Sequence, residues 1–387
     1  MPHPLIDSIA PQASLFSRLR QALQTASGSD ELEEGPGEVV VEHLQQWGYT
    51  VVRHAGGAGV VGQLRRGDGL KRLGLLTDMA RRPGAAGARA AQIRQDVCGG
   101  HAAMLLGAAH YLARQGDFSG TLNLIFQPTG DGDRDDSRLA REAVFARNPC
   151  DAVYAMRSAP GRPPGRLLLC DGPAMASHDM VTVTLESVHR DGSASQGTTD
   201  PVVAGAAIVL GLQSIATRNA EPLQMAAITV DAFETGHADG LFPPTAILRL
   251  GVRALDGTVR EMLLRRITEL ADWQSRSYGV RAALAYRRCA PLLVNSPNET
   301  ELARQVALEL LGPGMVQTQS RAMAGGEPLA CMLENVPGSY LQIGSGAGRL
   351  DKAAGSDAGP AAARGLDDQS LVIGASYWAM LAQCYLI

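Results

Sequence analysis

The chain has 387 residues, enough for two domains that each bury a core of their own. Hydrophobic residues make up 45% and charged residues 19%, and the net charge is -4, so there is no electrostatic case for nucleic acid or an anionic membrane as partner. Lysine occurs only at Lys71 and Lys352, leaving arginine as almost the sole base.

The opening stretch, Met1 to Ser8, has neither the basic nor the apolar region of a secretory signal, so a cytoplasmic protein is expected. Apolar runs at 73–77, 122–126 and 152–156 read as strands, and they alternate with helical patterns at 101–114 and 138–146. That alternation predicts an α/β layer with a largely parallel sheet. Ligand sites in such sheets lie at the carboxyl ends of the strands, where Asp78 and Asp131 fall.

From about Met180 the rhythm changes to strand 181–185, helix 201–217, strands 225–230 and 246–252, helix 258–278 and strand 281–286. This β-α-β-β-α-β order is that of a ferredoxin-like module. The α/β pattern then resumes with helices at 299–311 and 369–382. The expected organisation is a discontinuous catalytic-type domain, 1–179 with 290–387, interrupted by an inserted α+β domain, 180–289. The longest apolar run, 202–212, falls short of the ~20 residues a membrane span needs. Cysteines 98, 150, 170, 289, 331 and 384 show no paired spacing and read as reduced thiols. Five of them sit in apolar surroundings, and Cys98 is the exception.

Several segments carry a family resemblance. Cys98-Gly-Gly-His101 leads into Ala-Ala-Met-Leu-Leu-Gly-Ala-Ala109 as the start of a helix, and Phe126-Gln-Pro-Thr-Gly-Asp-Gly132 ends a strand. Leu75 to Pro83, Asp200-Pro-Val202, Val252-Arg253 and Val336 to Gly344 add further matches in the same order. Together they resemble the zinc aminoacylase/carboxypeptidase family, in particular the aminoacyl amidohydrolase branch with hippurate hydrolases and auxin-conjugate hydrolases. The resemblance implies an α/β/α metallopeptidase-like domain with an inserted ferredoxin-like lid through which subunits form a homodimer. It also implies two divalent ions, zinc or manganese, that polarise an amide carbonyl and ready a bridging water, with a glutamate as general base.

Set against that implied centre, the chain departs at most positions. The paired glutamates are replaced by Gly130, which has no side chain to act as base, and by the shorter Asp131. A histidine expected after the strand at 152–156 is Arg157, which carries no lone pair to donate. The last histidine is His237, so a late histidine ligand is absent, and the lid segment that would offer one reads Asp191-Gly-Ser-Ala-Ser195, with Ser193 at its centre. Cys98, His101, Asp131 and Asp78 remain as remnant metal-ligand candidates. Arg157, Arg253, Glu327 and Ser193 are candidate pocket residues, with Arg253 placed to grip a substrate carboxylate.

Each remnant also has a packing explanation: Asp78 as the cap of a turn, and His101 as a capping or packing residue at a helix start. An arginine next to carboxylates that have lost a dication would restore charge balance, so Arg157 is expected to pair with Asp131 or Asp78. The expected function is an amidohydrolase homologue without hydrolysis, with no cofactor, that binds a small acyl-amino-acid-like or peptide ligand or assembles with a partner. The alternative is a divergent two-metal hydrolase of N-acyl amino acids or short peptides.

Overall fold

The computed structural model describes residues 3–28, 35–54, 59–80, 88–129, 144–188, 199–221, 224–236, 244–319, 322–323, 330–346 and 366–387. Two compact units divide the chain. Met1–Gly172, Asn295–Arg321 and Met332–Ile387 form the first, and Pro173–Val294 with Ala322–Cys331 form the second. The fold is α/β and metallopeptidase-like, with an α+β module inserted into it.

In the first unit, helices α1 (Pro4–Ile9), α2 (Ala13–Gly28) and α3 (Pro36–Gln46) precede strands β1 (Thr50–His54), β2 (Gly59–Arg66) and β3 (Arg72–Ala80). Helix α4 (Ala88–Gln115) then leads to β4 (Gly120–Thr129), β5 (Ala152–Ala159) and β6 (Leu167–Cys170). After the inserted module come α7 (Pro297–Leu311), β13 (Val316–Gln319), β14 (Gly338–Gly344) and α8 (Asp368–Tyr385). The eight strands order as β1-β2-β4-β3-β5-β14-β6-β13. Strands β4, β3, β5 and β14 are mutually parallel, while β2 on β4 and β6 on β14 are antiparallel, so the sheet is parallel at its centre and mixed towards its edges.

Side chains alternate between the two faces of a strand. One face carries Leu73, Leu75, Leu122, Leu124, Phe126, Tyr154, Met156, Leu341 and Ile343, all part of the main core. Helices α2, α4 and α8 add Phe16, Leu105, Leu112, Tyr377 and Trp378 to the same core. The opposite face carries Leu76 and Asp78, Ile125 and Gln127, Ala155 and Arg157, and Gln342.

The expected helix start at Cys98 is corrected here. Helix α4 begins at Ala88, so Cys98 to His101 are interior residues. Gly99 and Gly100 resemble a helix break in sequence, but they are close-packing positions. A Cβ on Gly99 would lie 3.1 Å from Gln24 Cγ of α2, and one on Gly100 would lie 3.5 Å from Leu366 Cβ.

The second unit opens with β7 (Gly172–Met175) and then has the predicted order: β8 (Ser177–Ser187), α5 (Pro201–Asn219), β9 (Ala226–Thr235), β10 (Thr245–Ala254), α6 (Gly257–Ser277) and β11 (Val280–Ala290), followed by β12 (Leu293–Asn295). Its antiparallel sheet orders β11-β8-β10-β9. Val181, Val183 and Leu185 of β8 alternate onto the face that α5 and α6 cover. Asp200 caps α5 by accepting from the Val202 and Val203 amides, and Asp256 does the same for α6 with the Thr258 and Val259 amides.

By length and composition α5 is the one described helix apolar enough to cross a membrane, a stronger apolar signal than the 202–212 run alone. It buries Ala204, Ile208, Leu212 and Ile215 in the core of this module.

Candidate functional site

The carboxyl ends of β4, β3, β5 and β14 bring a polar row onto one face of the sheet. In register, Gln127 lies opposite Asp78, and Arg157 lies opposite Gln342. Leu76 pairs with Ala155, and one side-chain repeat further along the same face Asp78 meets Arg157. The Arg157 Nη2 to Asp78 Oδ2 distance is 2.5 Å, and the two side chains are only 12% and 14% exposed. The arginine expected to pair with Asp78 or Asp131 therefore pairs with Asp78. Asp78 lies within β3, which runs on to Ala80, and the turn it was expected to cap lies outside the described residues.

His101 is buried in α4, and its Nε2 accepts a hydrogen bond of 2.8 Å from the Ser158 backbone amide at the end of β5. That bond places the ring proton on Nδ1, since an acceptor nitrogen must keep its lone pair. Burial, helped by the nearby Arg157 guanidinium, pushes the imidazole down to about 3, so the ring is neutral at any working pH. His101 is thus an interior residue that ties α4 to β5, and the expectation that it caps a helix start is corrected. Cys98 lies one turn away and is 5% exposed, so it too is a core residue and not the exception among the cysteines. None of the six cysteines forms a disulfide.

Among the described residues, buried polar atoms without partners include both amide atoms of Gln127 on the face that carries Asp78, Thr77 Oγ1 and Tyr154 Oη on the opposite, core-facing side, and His101 Nδ1 and Ser345 Oγ. Each such atom costs about 1–3 kcal/mol while unpaired. Sequence reasoning missed Thr77, Gln127 and Ser345. The available signal was a glutamine ending the mostly apolar stretch Leu122 to Gln127, whose one other polar residue is Asn123.

Arg253 belongs to the second unit, on β10 opposite His178 of β8. Burial, then the neighbouring Arg253, lowers the His178 imidazole below its usual range. Gly130, Asp131, Ser193 and Glu327 lie outside the described residues, as do Asp351 to Asp357.

Two divalent ions do not fit the described side chains. Among the described residues no group of three or more His, Cys, Asp or Glu comes together. The His101 Nε2 lone pair is engaged by Ser158, and a guanidinium without a lone pair stands beside Asp78.

The family model for peptidase family M20/M25/M40 matches residues 96–383. Hippurate hydrolase of Campylobacter jejuni is 29% identical over 349 residues, covering 87% of this chain and 90% of that protein. N-acetyl-L-cysteine deacetylase of Bacillus subtilis is 28% identical over 250 residues, covering 63% of this chain and 58% of the relative. Among solved structures, a dinuclear metal-binding M20 peptidase of Bacillus subtilis superposes with a TM-score of 0.72 at 21% identity, covering 96% of this chain and 99% of that one. At such identity the likeness establishes the fold alone. The match runs from α4 through the inserted module to α8, and the chain belongs to the M20/M25/M40 peptidase family.

Proposed function

We propose that this chain is an M20-family protein that keeps the amidohydrolase scaffold as a binding module and does not hydrolyse amides. The observation that carries this reading is the His101 imidazole. It is the one histidine kept from the Cys-Gly-His motif, and its lone pair is engaged by the Ser158 amide while Arg157 stands at the position where the family resemblance implies a second histidine. Gly130 at the position of the general base supports the same reading from sequence. Base, ligands and activated water act as a unit in such hydrolases, so losing several leaves little rate.

The unpaired Gln127 amide, on the face that carries Asp78 and Arg157, favours a retained polar ligand at the strand ends, of the acyl-amino-acid or short-peptide kind. A homodimer through the inserted module and a cytoplasmic location are part of the same proposal. The second reading, a divergent metal-dependent hydrolase of N-acyl amino acids, is favoured by the resemblance to a hippurate hydrolase over most of both chains.

The two readings separate on one assay: hippurate and acetyl-amino-acid hydrolysis with added zinc or manganese, each with a chelator control. The binding-module reading predicts release no faster than in buffer with metal. Chelator-sensitive turnover would establish the hydrolase reading instead.

A further inference from the structure

We infer that the Arg157 guanidinium is the resident cation of this site: it holds the carboxyl ends of β3 and β5 together, and a divalent ion is not needed there for folding. This rests on the metal-free reading of the site, but its test reads folding and not turnover, so either can fail alone.

Three observations support it. The Arg157–Asp78 contact of 2.5 Å joins two side chains that are both largely withdrawn from solvent, so neither charge is balanced by water alone. The pair lies in the middle of the sheet, on adjacent parallel strands that are in register up to Leu76 with Ala155. The backbone just beyond the arginine is fixed independently, because the Ser158 amide donates to His101 of α4. The guanidinium therefore springs from a tethered strand end, and its position is set before the carboxylate is counted.

The chemistry of the two cations differs in a way that makes the exchange one-directional. A divalent ion must be gathered by several lone-pair donors and is lost to a chelator, whereas a guanidinium is covalently part of the chain and always charged. Removing one member of a buried pair takes from the other charge the partner it was buried with, while removing both together takes away both charges of the pair.

The experiment is a thermal-unfolding comparison of the full chain with Arg157→Met, Asp78→Asn and the double variant, each with EDTA and with zinc. Each single variant should lose roughly 5–10 °C of melting midpoint. The double variant should sit above the less stable single variant by at least half of that variant's loss. EDTA and zinc should each move the unmodified chain by no more than about 1 °C, because a ligand that does not bind the folded state does not stabilise it. Additive losses in the double variant, unchanged midpoints in the single variants, or a fall with EDTA would each overturn the inference. If a single variant is insoluble, a folded double variant supports the pair and an insoluble double variant overturns it.

Discussion

The His101 imidazole carries a titration that can be read directly. Its folded-state value is pushed down to about 3 from 6.5, mainly by burial. Below pH 6.5 the unfolded chain therefore takes up a proton that the folded chain refuses. The stabilisation from this group is complete above 6.5 and falls as pH drops towards 3, by roughly 1.4 kcal/mol per pH unit. Glutamine at this position can still accept from the Ser158 amide but does not titrate. Urea unfolding of His101→Gln between pH 6.5 and 5 should narrow the stability gap to the unmodified chain by about 1–2 kcal/mol, and parallel profiles would contradict the assignment. At this scale sequence was informative about identity and poor about environment. That Arg157 lacks a lone pair is legible from its residue type, and so is its need for a carboxylate. That His101 is deep inside a helix was not legible, because two glycines before it look like a helix break, and only the packing of α2 and Leu366 shows why they are there.

Helix α4 lies on α2 closely enough that Gly107 sets the separation. A Cβ there would stand 2.5 Å from Cε1 of the Phe16 ring, which is itself fully buried. Alanine would gain about 1 kcal/mol in helix propensity but force a buried aromatic to move, at about 1–3 kcal/mol. The clash wins. Gly107→Ala should lower the free energy of unfolding by up to about 2 kcal/mol in chemical denaturation, and a gain in stability would show that the two helices can separate freely. The central strands were legible as apolar runs bounded by polar residues, and the helices of the second module by their period and their Asp caps, Asp200 and Asp256. The antiparallel edges of the large sheet were not, since β1, β2, β6 and β13 are short or mixed in pattern and their pairing depends on partners far along the chain.

Across the whole molecule, two cores are built independently, and each has its own buried ion pair. In the second unit Asp179 is fully buried, with Arg260 Nε at 2.6 Å from one oxygen, Arg260 Nη2 at 2.9 Å from the other, and the Tyr286 hydroxyl donating at 2.7 Å. This triad ties β8, α6 and β11 together. Asp179→Asn leaves the Arg260 charge without its carboxylate and should destabilise the unit by about 3–5 kcal/mol, visible as an earlier unfolding step in calorimetry. A single unshifted transition would contradict that. The order of elements and the insertion were legible because hydrophobic periodicity changes at the junctions; the chemistry of the centre remains an expectation from sequence, since Gly130 and Asp131 fall outside the described residues. The most direct test is therefore elemental: plasma emission analysis of the purified chain after dialysis against zinc and then against metal-free buffer. The proposed binding-module reading, with Arg157 beside Asp78 and the His101 lone pair engaged by Ser158, predicts well under one equivalent retained. Two equivalents held per chain would contradict it.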